Sequence, residues 1–402
     1  MMHASDTGQA ARAWEVFRLF LRLGMTSFGG PVAHLGYFRE EFVVRRRWLG
    51  ERAYAELVAL CLFLPGPASS QVGMALGLTR AGWPGMLAAW IGFSLPSAAL
   101  LMLFAFGLSG WGAALPPGVL HGLKLVALAV VAQAVWSMAR SLCGSSGRFV
   151  LMLAAAAVVL LFPGTPGQLL VIAGAGLLGW ALLRRAAAPS GEALVVGGSR
   201  RGALLCLWAF GLLLLALPLV ARLWPVPLLA LGDAFYRAGA LVFGGGHVVL
   251  PLLQTALVEP GWVERDSFLA GYGAAQAVPG PLFTFAAFLG TAAGGFWGGL
   301  LGLAAIFLPS FLLVAGVLPF WARLRGRAGV QAALAGINTA VVGLLLAALY
   351  DPLWTSTIAG PVDLLLALAA WAALVFGRLP PWLLMLLCVL GGWLSGTLRL
   401  PV

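Results

Sequence analysis

Residues 20 to 30 read F-L-R-L-G-M-T-S-F-G-G, and residues 235 to 245 read F-Y-R-A-G-A-L-V-F-G-G. Phe20, Arg22, Gly24, Phe28, Gly29 and Gly30 recur 215 positions later as Phe235, Arg237, Gly239, Phe243, Gly244 and Gly245. A register kept at six positions over that distance marks a duplicated unit. Each copy sets an arginine in an apolar segment and follows it with an aromatic residue and a glycine pair, which interrupts a helix. Membrane proteins use a broken helix carrying a cation to prepare a place for an anion.

Composition fixes the class. With 61% hydrophobic and 9% charged residues, the chain cannot clothe a water-soluble surface, for which about 25% charged residues is typical. Its apolar runs are long rather than alternating, so the chain is a helical integral membrane protein. The net charge of +11 is spread through short loops between apolar runs rather than gathered on a soluble domain, which excludes nucleic acid as a partner. Met1 to Ala13 lacks the basic-then-apolar order of a signal peptide. Cys61, Cys143, Cys206 and Cys388 are scattered without C-x-x-C spacing and read as small core residues, not disulfides or metal ligands.

In chain order, a helical stretch over 12–28 breaks at Gly29-Gly30-Pro31 and resumes to Val44. The stretch 53–64 stops at Pro65-Gly66-Pro67, after which a short helix starts with Ala68, Ser69, Ser70 and Gln71. These pieces are too short to cross a hydrocarbon core, which needs about 20 residues. Full spans are expected over 85–107 and 119–140, followed by the pair 149–162 and 167–185. A polar, basic linker over 186–202 leads to one extra span, 203–222. The second half repeats the first: Trp48 matches Trp262, Pro65-Gly66-Pro67 matches Pro279-Gly280-Pro281, Leu95-Pro96-Ser97 matches Leu308-Pro309-Ser310, and Gly122 matches Gly336. This divides the chain into a first repeat (12–185), a linker with its extra span (186–222) and a second repeat (223–399).

Loop charge sets the orientation. The loop after the first break carries Arg39, Arg45, Arg46, Arg47 and Arg52 against three glutamates, whereas its counterpart Gln254 to Ser267 has Arg265 against Glu259, Glu264 and Asp266. The next pair reverses the contrast: Ser109 to Gly118 is uncharged, and Trp321 to Gly329 holds Arg323, Arg325 and Arg327. Basic residues accumulate on the cytoplasmic side, so equivalent loops face opposite sides. The expected fold is an all-α polytopic membrane protein of two inverted-topology repeats, with about nine full spans plus four re-entrant hairpins, the N-terminus inside and the C-terminus outside.

The F-G-G-P after a basic apolar helix, the paired P-G-P and the recurrence of both in a chain near 400 residues resemble the chromate ion transporter (CHR) family in its long, two-domain bacterial form. The likeness runs from about Trp14 to Tyr350. It implies efflux of chromate from the cytoplasm across the bacterial inner (plasma) membrane and hence chromate resistance, with sulfate as the natural analogue and no cofactor or metal. The implied partners are a chromate- or sulfate-like oxyanion, the lipid bilayer and, compatibly, further copies of the chain. One departure stands out: the second copy reads F-G-G-G-His247, not F-G-G-P, so the two half-sites need not bind alike.

Chromate is a tetrahedral dianion that accepts hydrogen bonds and donates none, so its site needs N–H groups, hydroxyls and positive charge. The two helix starts after Pro65-Gly66-Pro67 and Pro279-Gly280-Pro281 offer free amides and roughly half a charge each. Ser69, Ser70, Gln71 and Thr284 lie in those first turns as side-chain donors, and Arg22 and Arg237 offer guanidinium forks beside the breaks at Gly29, Gly30, Gly244 and Gly245. Plainer roles compete: Arg22 reaching to the interface, breaks that are packing kinks, Ser69 and Ser70 capping their helix, His34 and His247 satisfying local hydrogen bonds. Lys124, the single lysine, falls inside a span and has Asn338 as its repeat partner. It stands beside the substrate, pairs with an acid such as Glu56, or lies near the outer interface. An intramembrane enzyme would have to work with Glu56, Asp233 and the histidines, and a purely structural protein has no use for doubled breaks.

Overall fold

Glycine and proline set where each helix stops. The computed structural model describes residues 2–111, 117–182, 199–324 and 326–397, and among them there is no strand. Most of the 186–202 linker, half of the uncharged loop at 109–118, and Arg184, Arg185 and Arg325 lie outside the described residues. The first repeat contributes α1 (Met2–Thr26), α2 (Gly30–Arg39), α3 (Glu51–Phe63), α4 (Ala68–Trp111), α5 (Pro117–Leu142), α6 (Ser146–Leu161) and α7 (Thr165–Leu182). After α8 (Arg200–Leu223) the series recurs as α9 (Pro227–Leu241), α10 (Val249–Leu257), α11 (Arg265–Ala275), α12 (Phe285–Val317), α14 (Ala328–Ala348), α16 (Pro361–Val375) and α17 (Pro381–Thr397). Two single turns, α13 (Trp321–Leu324) and α15 (Thr355–Thr357), flank α14.

Neither α4 nor α12 is one straight rod. Ala81 and Gly82 (φ/ψ −143/21 and 65/−153) leave the helical region, and Gly294 and Gly295 (−147/23 and 64/−157) repeat the same break. The chain doubles back there. A Cβ on Gly77 would lie 2.2 Å from the Gly85 carbonyl, and one on Gly290 would lie 2.1 Å from that of Gly298, so only glycine permits the two arms to touch. The stretch from Ala68 to Arg80 spans roughly 20 Å at 1.5 Å per residue, short of a hydrocarbon core of about 30 Å.

Ion pairs show that the short pieces go in and return. Glu15 in α1 binds Arg46, just past α2, at 3.1 Å and Arg80, at the end of the first arm of α4, at 3.2 Å. Arg80 also lies over the Trp48 ring at 4.9 Å, and Arg39 pairs with Glu51 at the start of α3. The middle of α1 and the outer ends of α2, α3 and the first arm of α4 thus gather at one level of the molecule. They form two re-entrant hairpins whose tips are the F-G-G and P-G-P breaks. Six described helical stretches are long and apolar enough to cross a bilayer. Three of the nine spans expected from loop charge fall on α6, α16 and α17, which are apolar but shorter, at 16, 15 and 17 residues.

Equivalent helices run antiparallel. Trp90, early in the second arm of α4, meets Phe307 and Phe311, late in that of α12, at ring separations of 5.8 and 5.4 Å. Met102, late in α4, reaches Gly299, early in the corresponding arm of α12. The repeats are therefore inverted. They are also interleaved: Gly122 of α5 abuts the Cys388 carbonyl of α17, and its equivalent Gly336 of α14 abuts the Ala175 carbonyl of α7. Each sequence repeat seats one helix on the other's last pair, through glycines that let backbones touch. In a chain with its four native cysteines replaced, Gly50→Cys and Glu264→Cys are expected to label with an impermeant maleimide from opposite faces of the membrane. Labelling from one face would overturn the inverted arrangement.

Candidate functional site

The breaks meet crosswise at the centre. The Gly66 amide donates to the Val242 carbonyl at 2.7 Å, and the Gly280 amide donates to the Ser27 carbonyl at 3.0 Å. Ser27 and Val242 are equivalent residues, each just before its own F-G-G. Each P-G-P turn thus docks on the glycine break of the other repeat. Gly66, Gly280, Gly29, Gly30, Gly244 and Gly245 all hold positive φ, which explains the choice of residue at these tips. A Cβ on Gly66 would lie 2.5 Å from Ser310 Oγ, and one on Gly280 would lie 2.9 Å from Ser97 Oγ, so the repeated L-P-S serines close the same crossing. Pro31 lies 3.7 Å from where a Gly246 Cβ would stand, bringing the two glycine breaks side by side.

Only one side of this crossing is polar. The first repeat brings Ser27, His34, Ser69, Ser70, Gln71, Ser94 and Ser97 to the crossing, all buried. His34 Nε2 donates to the Ser27 carbonyl at 3.2 Å, which fixes the tautomer and leaves Nδ1 to accept from Ser69 Oγ at 3.3 Å. The Ser69 proton is therefore spent. Gln71 Nε2 donates to the Pro65 carbonyl at 2.6 Å and reaches Ser310 Oγ at 3.2 Å, so its Oε1 faces elsewhere. The hydroxyls of Ser27, Ser70 and Ser94 and Gln71 Oε1 have no protein partner. Leaving a buried hydroxyl unpaired costs about 1–3 kcal/mol, so three such hydroxyls at one crossing suit a hydrogen-bonding guest.

The opposite side reads as its apolar counterpart. The equivalents of Ser27, Ser69, Gln71 and Ser94 are Val242, Phe283, Phe285 and Phe307, all buried. Thr284, the equivalent of Ser70, donates to the Pro281 carbonyl at 2.7 Å, and a tight 3-10 turn from Leu282 to Thr284 precedes α12. The two helix starts differ, as expected of the half-sites from the departure at His247: Ser69, Ser70 and Gln71 follow Pro67, and Leu282, Phe283 and Thr284 follow Pro281. Pro65, Pro67, Pro279 and Pro281 frame the turns. The amides of Gly66 and Gly280 are committed across the repeats, which leaves the first turn of α4 to offer free N–H groups. Neither Ser69 nor Ser70 caps that helix, since one serves His34 and the other is unpartnered.

The paired arginines are not brought to this crossing. Gly24 faces α4 against the Phe93 carbonyl, and Arg22, two residues earlier and about 200° around the helix, is exposed. Gly239 likewise faces α12 at the Ile306 carbonyl, and Arg237 points away toward Thr165 and Gln168 of α7. Arg237 is held by Asp233 through two contacts of 2.6 and 2.9 Å. This pairing is one a buried carboxylate needs. Arg237→Gln is expected to strand the buried Asp233 carboxylate and lower membrane abundance several-fold, with Asp233→Asn in the same chain restoring it. Equal abundance of the single and double variants would break that assignment.

Lys124 pairs with Asp266 at 2.6 Å, not with Glu56, whose Oε2 accepts from the Trp321 indole at 3.1 Å. Asn338 stands beside the second break, its Oδ1 3.6 Å from a Cβ position on Gly244. His247 in that break bonds Tyr272 through Nδ1 at 2.8 Å, a local contact. The residues that sequence reasoning missed are Ser27, Ser94 and Ser97. Ser97 was visible as part of a repeated L-P-S, but nothing in sequence says that it faces the other repeat.

The family model described as chromate transporter matches residues 14–180 and again 229–393. A chromate transport protein of Pseudomonas aeruginosa is 29% identical over 359 residues, 84% of this chain and 80% of the relative. Another from Cupriavidus metallidurans is 26% identical over 91% of this chain and 88% of the relative. An uncharacterized transporter of Methanocaldococcus jannaschii is 27% identical over 83% of each. No solved structure matches the chain.

Proposed function

The chain belongs to the chromate transporter family, and we propose that this multi-pass membrane protein expels chromate from the cytoplasm, holding the dianion where the broken helices cross. The observation that carries this reading is the set of buried, unpartnered hydroxyls of Ser27, Ser70 and Ser94, beside the free amides at the start of α4. Hydroxyls and amides turn donors toward a guest that only accepts, and the positive end of a helix dipole offsets part of its charge. Gln71 Oε1 is an acceptor and suits a water beside the anion. Chromate and sulfate present the same tetrahedral array of acceptors, so sulfate is expected to compete.

Transport rather than catalysis is supported by the fate of the titratable side chains. Glu56, Asp233, His34 and His247 are tied to Trp321, Arg237, Ser69 with the Ser27 carbonyl, and Tyr272 respectively. An acid and base facing one another across a substrate is not the pattern they make. The membrane potential favours the outward direction: a dianion leaving a negative interior gains about 4.6 kcal/mol per 100 mV. The test is uptake of labelled chromate into inside-out vesicles, with resistance of a chromate-sensitive host as its counterpart in cells. Uptake no greater than in vesicles lacking the protein would overturn the reading.

A further inference from the structure

Away from the crossing, a cavity of about 290 Å³ lies between α3, the α5–α6 turn and α14. Arg148 and Gln331 line it near the ends of their helices, and Ala59, Phe63 and Ala335 form its walls. Asn338, which also lines it, stands against Gly244 of the second glycine break. The cavity therefore reaches from the helix ends at one face of the molecule to a residue that flanks the second glycine break. That face is the cytoplasmic one, since α14 follows Arg323 and Arg327 and the cavity flanks α3, which follows the basic loop.

We propose that this cavity is the cytoplasmic vestibule for a tetrahedral oxyanion, and that Arg148 is the cation that draws the anion in. The proposal rests on the transport reading above and adds the route. Arg148 is the one charged residue lining the cavity. Among the described residues no carboxylate pairs with it; its guanidinium reaches only the Leu142 carbonyl, at 3.5 Å. A cation without a countercharge, in a walled recess, focuses its field on what enters.

The inverted repeat explains why the recess exists on this side. Its pseudo-symmetric counterpart lies between α11 and α5, where Gly273 packs onto the Leu123 carbonyl so closely that a Cβ would stand 2.4 Å from it. The residue equivalent to Gly273 is Ala59, whose methyl group forbids the same approach of α3 to α14 and holds the gap open. Lys124, equivalent to Asn338, is neutralised by Asp266 on the closed side, whereas on the open side the position equivalent to Asp266 is Arg52, so the acid is not repeated there. Shape and charge thus agree on one open, cationic recess at the cytoplasmic end.

The test uses the full chain with its four native cysteines replaced and Ala335→Cys added, in inside-out vesicles. Two impermeant methanethiosulfonates of opposite charge, sulfonatoethyl and trimethylammonioethyl, are applied to the cytoplasmic face. The anionic reagent is expected to react faster by about tenfold once intrinsic reactivity is divided out. Arg148→Gln should bring that ratio to about one while leaving the cationic rate intact, and Arg148→Lys should preserve it. Millimolar sulfate should slow both reagents at this cysteine. An unreactive Ala335→Cys, or a ratio that Arg148→Gln does not change, overturns the proposal. The labelling needs no turnover, so loss of chromate uptake with the ratio intact would count against the transport reading alone. Uptake with an unreactive cysteine would count against the vestibule alone.

Discussion

Leucine in place of Gly66 or Gly280 is expected to abolish chromate uptake and to cut the amount of folded protein in the membrane. Both residues hold φ values, 123° and 104°, that side chains rarely adopt, a strain of about 1–3 kcal/mol. Both also lack room: a Cβ on Gly66 would stand 2.5 Å from Ser310 Oγ and from Gln71 Nε2, and one on Gly280 would stand 2.9 Å from Ser97 Oγ and 3.2 Å from the Phe93 carbonyl. Displacing either turn breaks its amide bond to the opposite glycine break, so the two repeats lose register where they cross. Overpacking adds about 1–3 kcal/mol, and the sum approaches the whole margin of a marginally stable fold. The two sites should answer differently to relief. Ser310→Gly is expected to restore part of the stability of Gly66→Ala, whose neighbours are side chains. Ser97→Gly should restore less to Gly280→Ala, because the Phe93 backbone cannot step aside. Thermal unfolding in detergent measures both, and Gly280→Leu with native melting and uptake would show that the turns do not hold the repeats together.

That prediction depends on a contact that sequence does not reveal. The F-G-G and P-G-P tips were legible because glycine and proline mark breaks wherever they fall, and the inversion was legible because loop charge reports sidedness. The reversal at Gly295 was not, because it lies within an apolar run that continues on both sides, and Thr79 and Arg80 before Gly82 mark an end without saying that the chain doubles back. Where the recurring arginines lie was not legible in the sequence, for a geometric reason. Gly24 and Gly239 mark the packed face of their helices, and a residue two positions earlier must point the other way. Asp233, four residues before Arg237, offered a partner by spacing alone; Arg18, at the matching distance from Arg22, did not, and Arg22 is left exposed. Recurrence identifies what both halves need, which for inverted repeats is first the scaffold. Most of the polar side of the crossing did not recur: Ser27, Gln71 and Ser94 correspond to Val242, Phe285 and Phe307 in the other copy, and only Ser70 keeps a hydroxyl, as Thr284. A search for matched pairs passes over it.

The unpartnered hydroxyls give the other large effect, in which function and stability should part. Ser70→Ala removes a buried hydroxyl with no protein partner, so the folded state loses nothing it was using and sheds a desolvation cost of about 1 kcal/mol or more. Its melting temperature should stay level or rise by a few degrees. A hydrogen bond from that hydroxyl to a charged guest is worth about 1.5–3 kcal/mol, or roughly 10- to 100-fold in apparent affinity. The apparent KM for chromate should rise by that factor, and Ser94→Ala should behave alike. Ser70→Thr keeps the donor and should retain most of the affinity if the added methyl fits. Ser69→Ala supplies the contrast, because Ser69 is spent on His34: it should cost stability by leaving Nδ1 unpaired. Ser70→Ala and Ser94→Ala with native melting and native KM would place the anion somewhere other than this crossing, because no other reading of an unpaired buried donor predicts a more stable protein that binds its substrate less well.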